Sequence, residues 1–289
     1  GTAEAGSTVT IFDGQNTLGT AVASTAGAWT FTPTTSLSEG AHSITVKAKD
    51  IAGNVSSASS ALSVTIDLTP PSTPTITTQT SLSNINKPVI TGTAEAGSTV
   101  SILDGTKVLG TVVATNGSWS YTPTTALTDG AHVLTAKATD VAGNVSAASG
   151  AVTLTIDTVA PIAPVVTTTS MTTNNTRPSI SGTAEAGATI SILDGTTVLG
   201  TTQASSSGAW TYQTPVLSES AHILTVKATD TAGNISAASK SVTITVDVTP
   251  PAAPVIKTTT LLTNNTKPVL AGTAEAGSTV TIFDGQNTL

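Results

Sequence analysis

Apolar and polar residues alternate along most of this chain with the period of a β-strand. Over 131–140 the two faces carry different sets: His132, Leu134, Ala136 and Ala138 on one, and Val133, Thr135, Lys137 and Thr139 on the other. This alternation is typical of a strand with one buried and one wet face. Turn signals separate such runs, and no stretch shows a helical period. The pattern predicts strands at about 73–78, 87–92, 98–103, 108–114, 118–122 and 131–140, and a seventh ending at 156–157.

The same pattern returns every 90 residues, with one-residue adjustments near the start of the second repeat and before Trp210. The segment that begins at Gly1 recurs almost unchanged at Gly92, Gly182 and Gly272. A period of this length is the size of a small domain rather than of a solenoid repeat. Proline clusters such as Pro70-Pro71 mark short extended links between the domains. We therefore expect a partial repeat at 1–67 that lacks its first two strands, complete repeats at 68–157 and 158–247, and a partial repeat at 248–289 that ends after the third or fourth strand.

The two partial repeats suggest a relationship between the ends of the chain. Residues 272–289 are identical to residues 1–18, and 248–271 would supply the two strands that 1–67 lacks. One interpretation is that the chain is a window on a longer polypeptide. The other is that separate chains complement each other head to tail by strand addition and grow into a filament.

Composition narrows the possible functions. Charged residues are 9% of the 289, and ten Lys and Arg against seventeen Asp and Glu give a net charge of −7. Nucleic-acid binding is disfavoured, because phosphate contacts need cations. The absence of Cys excludes disulfides, thiolate metal sites and a Cys nucleophile. No stretch approaches the roughly 20 apolar residues of a membrane span. Because the sequence opens on Gly1 without a signal peptide, we expect a fragment.

The repeated motifs carry a resemblance to a known family. Leu-x-Asp/Glu-Gly-x-His, followed by Leu-Thr-Val-Lys-Ala-x-Asp-x-Ala-Gly-Asn, resembles the bacterial Ig-like repeats of large secreted adhesins and biofilm-associated surface proteins; Ser220 departs from the pattern, where the other repeats have Gly40 and Gly130. The resemblance implies tandem seven-stranded Ig-like β-sandwiches in a linear rod on the bacterial surface, often exported by a type I system. In many members Ca²⁺ lies at the domain joints.

The seventeen acids fall at only five places in the repeat. Because successive strands run in opposite directions, two acid-bearing loops of each domain are expected at the end of that domain where the preceding linker enters. This end faces the last strand of the preceding domain. We therefore expect carboxylates to converge at three joints, and hard oxygen ligands of this kind suit Ca²⁺. The predicted ligands are Asp67, Glu95 and Asp140 at the first joint, Asp157, Glu185 and Asp230 at the second, and Asp247 and Glu275 at the third. The alternative is that Asp-x-Ala-Gly-Asn is a plain turn bonded to its own backbone.

The other conspicuous residues have structural interpretations. Asp104-Gly105 is typical of a hairpin turn. Three acids in the loop before the sixth strand are interpreted as solvated: Glu39, Asp129 and Glu219. His132 resembles the residue that fixes this corner in Ig-like folds, with a metal or catalytic role as the alternative. Trp119 and Tyr121 are expected to anchor the core rather than to stack on sugars.

These observations predict a structural spacer. We expect an extracellular stalk segment of a bacterial surface adhesin that is stiffened by Ca²⁺, supports adhesion or biofilm formation, and contacts neighbouring repeats of the same polypeptide. Host or biofilm components would be bound by other parts of the parent. The alternative is an array of glycan- or protein-binding modules that acts by avidity. An enzyme is not expected, because each repeat has a single His and no Ser-His-Asp arrangement in a credible order.

Overall fold

The computed structural model describes residues 1–259 and 261–289. In this part of the chain all regular secondary structure is β. The chain divides into two compact units, Gly1–Thr158 and Val159–Leu289. The strands of the first unit are β1 (Thr8–Asp13), β2 (Asn16–Val22), β3 (Gly40–Lys49), β4 (Leu62–Ile66), β5 (Thr75–Ile76), β6 (Ser81–Ser83), β7 (Ile90–Thr93), β8 (Thr99–Asp104), β9 (Lys107–Val113), β10 (Ser118–Tyr121), β11 (Gly130–Thr139) and β12 (Val152–Ile156).

The strands of the second unit are β13 (Val165–Val166), β14 (Met171–Thr173), β15 (Ser179–Thr183), β16 (Thr189–Asp194), β17 (Thr197–Gln203), β18 (Ala209–Gln213), β19 (Ala221–Thr229), β20 (Val242–Val246), β21 (Val255–Ile256), β22 (Gly272–Thr273), β23 (Phe283–Asp284) and β24 (Asn287–Thr288). In this unit, β13–β20 repeat the succession of β5–β12, and the short strands β21–β24 follow.

Residues 68–157 form a two-sheet sandwich. One sheet has the order β10-β7-β5, and the other has the order β6-β12-β11-β8-β9. The third repeat has the same two sheets, β13-β15-β18 and β14-β20-β19-β16-β17, whereas β1–β4 form the single sheet β2-β1-β3-β4. The predicted all-β, Ig-like sandwich architecture is confirmed.

The beginning of the sandwich differs from the prediction. Residues 81–86 lie between the first two predicted strands, 73–78 and 87–92, but Ser81–Ser83 form β6 and pair in parallel with β12. The first predicted strand, 73–78, is shortened to β5, and β6 is an additional strand in the other sheet. Three residues of extended backbone at a sheet edge need no apolar alternation, so the hydrophobic pattern gave no signal for this strand.

The core follows the alternation that the sequence predicts. On β11 the buried positions are His132, Leu134, Ala136 and Ala138, whereas Val133 and Lys137 are exposed. Facing residues of both sheets complete the core, among them Ile90, Val100, Ile102 and Leu154. The third repeat has an equivalent core around Ile190, Ile192, Leu224 and Ile244. Burying these aliphatic side chains supplies most of the stability of each sandwich.

A tryptophan packs on a glycine in each complete repeat. Trp119 is 4% exposed, and its indole ring covers Gly92, where any Cβ would collide with the ring and with the Thr75 carbonyl. Trp210 covers Gly182 in the same way. The interpretation of Trp119 as a core residue is confirmed, and its face is not available to stack on a sugar.

Candidate functional site

A buried histidine ties two loops together in every repeat that contains one. Nδ1 of His132 donates to Oδ2 of Asp104 at 2.7 Å, and Nε2 donates to the backbone carbonyl of Thr128 at 2.8 Å. The second oxygen of Asp104 accepts the backbone N–H of Val133 at 3.1 Å. We call the histidine, the aspartate and the carbonyl the corner clamp; its copies are His42 with Asp13 and Ser38, and His222 with Asp194 and Ser218.

The corner clamp favours the protonated histidine. Both ring nitrogens face an acceptor, and only the imidazolium has two N–H groups to donate. Burial lowers the pKa of His132, but the hydrogen bonds to Asp104 and to the Thr128 carbonyl outweigh it and raise the pKa above its ordinary value. In His42 and His222 the hydrogen bond to the aspartate is the larger effect, and the pKa is raised as well. The histidine therefore fixes a corner, as predicted.

The role of Asp104 goes beyond the sequence interpretation. Asp104-Gly105 does form the predicted hairpin turn between β8 and β9, with Gly105 at a φ of 57°. The sequence alone did not indicate that its carboxylate holds His132, although the recurrence of both residues at a separation of 28 or 29 positions was a usable signal. The two residues lie 28 positions apart and meet only because β8 and β11 are neighbours in one sheet.

The acids that were interpreted as solvated have a contact that the prediction missed. Glu39, Asp129 and Glu219 are exposed, but each accepts a hydrogen bond from the linker that follows its own repeat. Asp129 Oδ1 accepts the backbone N–H and the hydroxyl of Thr158, both at 2.9 Å. The longer Glu39 and Glu219 accept the hydroxyls of Thr69 and Thr249. We call this acid–threonine contact the linker latch.

Asp140 and Asn144 close a tight turn at the opposite end of the second repeat. Asp140 Oδ1 accepts the backbone N–H of Asn144 at 2.8 Å, and Oδ2 accepts its side-chain N–H at 2.9 Å. Burial raises the pKa of the Asp140 carboxyl, but the hydrogen bonds from Asn144 outweigh it and hold the pKa below its ordinary value. The plain-turn alternative therefore describes the local geometry of Asp140, and Asp230 forms the same turn with Asn234.

Asn144 also contacts the preceding repeat. Its side-chain N–H donates to the backbone carbonyl of Asp67 at 3.0 Å, across the joint between the first and second repeats. The Asp67 carboxylate accepts the backbone N–H of Thr69 at 3.0 Å. Asn144 thus lies between two of the predicted calcium ligands, Asp67 and Asp140. Sequence reasoning treated this asparagine, which recurs at Asn54 and Asn234, only as the last residue of the Asp-x-Ala-Gly-Asn turn, and not as a contact to the preceding repeat.

The other predicted ligands have ordinary loop environments. Glu95, Glu185 and Glu275 are exposed, and their backbone carbonyls accept the N–H of residues 98, 188 and 278. Asp157 follows β12 and donates its backbone N–H to Ser83, while Asp247 follows β20 and donates to Thr173. Asp247 Oδ1 also accepts the N–H of Thr249 at 3.1 Å.

The first joint has oxygen atoms suited to calcium, but they are not free. Within residues 1–259 and 261–289, no three His, Asp or Glu side chains are grouped so as to hold a metal ion. The Asp67 carbonyl and the Asp140 carboxylate are hard oxygen ligands, and the amide N–H of Asn144 binds both. An ion could take its place only if this amide moved or turned its oxygen inward. Calcium at the joints remains a prediction.

A comparison with protein families identifies the family to which the chain belongs. A family model described as a bacterial Ig-like domain matches residues 1–68, 72–158 and 166–248. These matches cover most of the chain and contain all three corner clamps. The chain therefore belongs to the bacterial Ig-like domain family and carries three tandem matches to it.

Similar proteins include an exoglucanase and a chitinase from two bacteria. The chain is 36% identical over 251 residues to exoglucanase B of Cellulomonas fimi, which covers 81% of the chain and 22% of that enzyme. It is 38% identical over 147 residues to chitinase A1 of Niallia circulans, covering 45% of the chain and 20% of that enzyme. The chain thus spans about a fifth of the length of these two relatives.

The matches to solved structures are more distant. Fibronectin(III)-like modules of Clostridium thermocellum CbhA match with a TM-score of 0.42 and 20% identity, over 60% of this chain and 93% of that one. A biofilm-associated protein BSP domain matches with a TM-score of 0.26 and 13% identity, over 84% and 57%. Among the residues that the structure describes, no helix has the length and apolarity that a membrane crossing needs.

Proposed function

We propose that this chain is a non-catalytic spacer segment of an extracellular bacterial surface adhesin, stiffened by Ca²⁺ at its inter-domain joints and supporting adhesion or biofilm formation. The observation that carries the proposal is the repetition of structural contacts. The corner clamp, the linker latch and the Asp–Asn turn recur at equivalent positions, and they hold the corners and linkers of the fold. A spacer needs the same structural contacts in every copy and needs no site that is unique to one of them.

The buried aromatic residues argue against the alternative of glycan-binding modules. Trp119 and Trp210 are 4% and 3% exposed and cover glycines of their own core. Binding of sugars usually requires exposed aromatic faces, and these rings are enclosed. The 289-residue chain should therefore give no signal on a glycan array, and strong binding to one glycan class would replace the spacer proposal with the binding-array alternative.

Calcium at the first joint is supported by the chemistry of the surrounding atoms. The Asp67 carbonyl and both Asp140 carboxylate oxygens meet at Asn144, and Glu95 is an exposed acid of the same repeat. Calorimetric titration with Ca²⁺ tests the proposal, and Asp140→Ala should lower the stoichiometry by one. Asp50→Ala is the matched control, because Asp50 makes the same turn with Asn54 but is not one of the predicted joint ligands. An unchanged stoichiometry in Asp140→Ala would mean that Asp140 is only a turn residue.

A second candidate is a spacer between the domains of a secreted polysaccharide-degrading enzyme. The similarity to exoglucanase B of Cellulomonas fimi and to chitinase A1 of Niallia circulans favours it. Both candidates assign the same mechanical role and differ in what the parent polypeptide carries. The sequence of the full parent gene distinguishes them, because a glycoside hydrolase domain in the same reading frame would select the second.

A further inference from the structure

The corner clamp and the linker latch are built on consecutive residues. Thr128 supplies the carbonyl that His132 holds, and Asp129 supplies the carboxylate that holds Thr158. The pairs Ser38–Glu39 and Ser218–Glu219 repeat this arrangement in the first and third repeats. Because the acid directly follows the residue whose carbonyl is held, its backbone has little freedom to move. The corner clamp therefore determines where the linker latch forms.

We propose that the protonated histidine of each corner clamp keeps the following linker attached to its own repeat, and that the linker is released when the histidine loses its proton. This role of the joint does not depend on Ca²⁺. It makes His42, His132 and His222 positioning residues that act on the linker through the neighbouring acid.

The physical reason lies in the number of donors on the ring. A neutral imidazole has one N–H and can satisfy only one of two acceptors. At the first joint these acceptors are Asp13 Oδ2 at 2.6 Å and the Ser38 carbonyl at 2.8 Å. If the neutral ring keeps its N–H on the aspartate, the lone pair of the other ring nitrogen faces the Ser38 carbonyl. This nitrogen and the carbonyl oxygen are both acceptors and repel each other. The corner that carries Glu39 is then no longer held by the ring.

The groups around the His42 ring do not oppose its charged pair with Asp13. From β1 the ring faces the Asp13 carboxylate, and from β4 it is opposite Val64, which is apolar. From the corner it faces the Ser38 carbonyl, beside the Glu39 carboxylate that holds Thr69. Both charged groups are acids, so each favours the imidazolium. The proton is therefore retained until the pH passes the raised titration range of His42.

The flexibility of the first joint measures this effect directly. Because the chain has no Cys, spin labels can be placed at Thr20→Cys and Thr111→Cys, two exposed strand positions in the first and second repeats. Pulsed electron paramagnetic resonance then gives the distribution of distances across the joint. The measurement is made in chelator at about pH 5.5 and about pH 8.5, on either side of the usual histidine range. We expect a narrow distribution at the lower pH and a broader one at the higher pH.

Three variants separate the proposal from a general effect of pH. His42→Gln should give the broad distribution at both pH values, whereas His132→Gln, whose clamp belongs to a different linker, should leave the response of the first joint unchanged. Glu39→Ala keeps the clamp and removes the latch, and it should also be broad at both values. Amide spectra of β1–β4 confirm that each variant is folded.

The proposal would be overturned if the distance distribution were the same at the two pH values although NMR showed that His42 loses its proton between them. An equal loss of pH response in His132→Gln would also overturn it. Because chelator is present throughout, failure here leaves the calcium titration unaffected, and failure of the calcium titration leaves this result standing.

Discussion

His132 and Asp104 form a charged hydrogen bond of 2.7 Å between two strands of one sheet, and the other ring nitrogen of His132 holds a carbonyl of the adjoining corner. The same relationship joins His42 to Asp13 and His222 to Asp194. The histidine, for which the sequence left a metal or catalytic role as the alternative, is therefore a fixed part of the fold.

Removing one partner of this pair should destabilise the second repeat. His132→Ala leaves the Asp104 carboxylate and the Thr128 carbonyl without their donor, and the expected cost is about 2 kcal/mol. The double variant with Asp104→Asn should cost less than the sum of the single variants, because the two residues are coupled. Amide hydrogen exchange at Leu134 measures the loss, with Leu224 in the third repeat as the internal control. Additive losses would show that the hydrogen bond contributes little.

Stability should fall at both ends of the pH range. The folded pKa values of the three histidines are raised, so their contribution is complete below the unfolded value near 6.5 and is lost as the pH rises through the folded values. The folded pKa values of Asp140 and Asp230 are lowered, so their contribution is present above about 3.8 and is lost as the pH falls through the folded values. Urea unfolding across this range should show greatest stability between the two limits. A monotonic rise from pH 5 to pH 9 would contradict the histidine contribution.

The third repeat should titrate differently because of Ser220. Its hydroxyl lies 3.3 Å from Nε2 of His222, where Gly40 and Gly130 have no side chain. When the ring is neutral this hydroxyl can donate to Nε2, and so it stabilises the neutral form. Ser220→Ala should therefore raise the pKa of His222, as measured by the ring-proton shifts in NMR. The pKa of His132 serves as the control, and a lowered His222 pKa would contradict the assignment.

Substitution of the glycine beneath the tryptophan should be costly. In Gly92→Ala the new Cβ would collide with the Trp119 ring and the Thr75 carbonyl, so we expect a loss of more than about 3 kcal/mol. Gly97→Ala is the matched control, because its φ of +85° is unfavourable for Ala but nothing lies within 4 Å; we expect a loss of about 1 kcal/mol there. Urea unfolding followed by Trp119 fluorescence compares the two. Equal losses would mean that the core accommodates the extra methyl.

The sequence predicted the fold well and the contacts between loops poorly. The alternation over 131–140 identified the buried face of β11, including His132, because a strand has only two faces. It did not predict that Asp104 meets His132, that Asp129 holds Thr158, or that Asn144 reaches Asp67, since these contacts depend on which strands are neighbours and on side-chain reach. The strand β6 was missed because a short edge strand has no hydrophobic period.

The central claim, that Ca²⁺ stiffens the joint between repeats, is tested most directly by the distance distribution across the first joint. Labels at Thr20→Cys and Thr111→Cys are measured at one pH with Ca²⁺ and with chelator. If Ca²⁺ binds the oxygens of Asp67 and Asp140, the distribution should become narrower with Ca²⁺, and this narrowing should disappear in Asp140→Ala but persist in Asp50→Ala. Identical distributions with Ca²⁺ and with chelator in the unaltered joint would contradict the account.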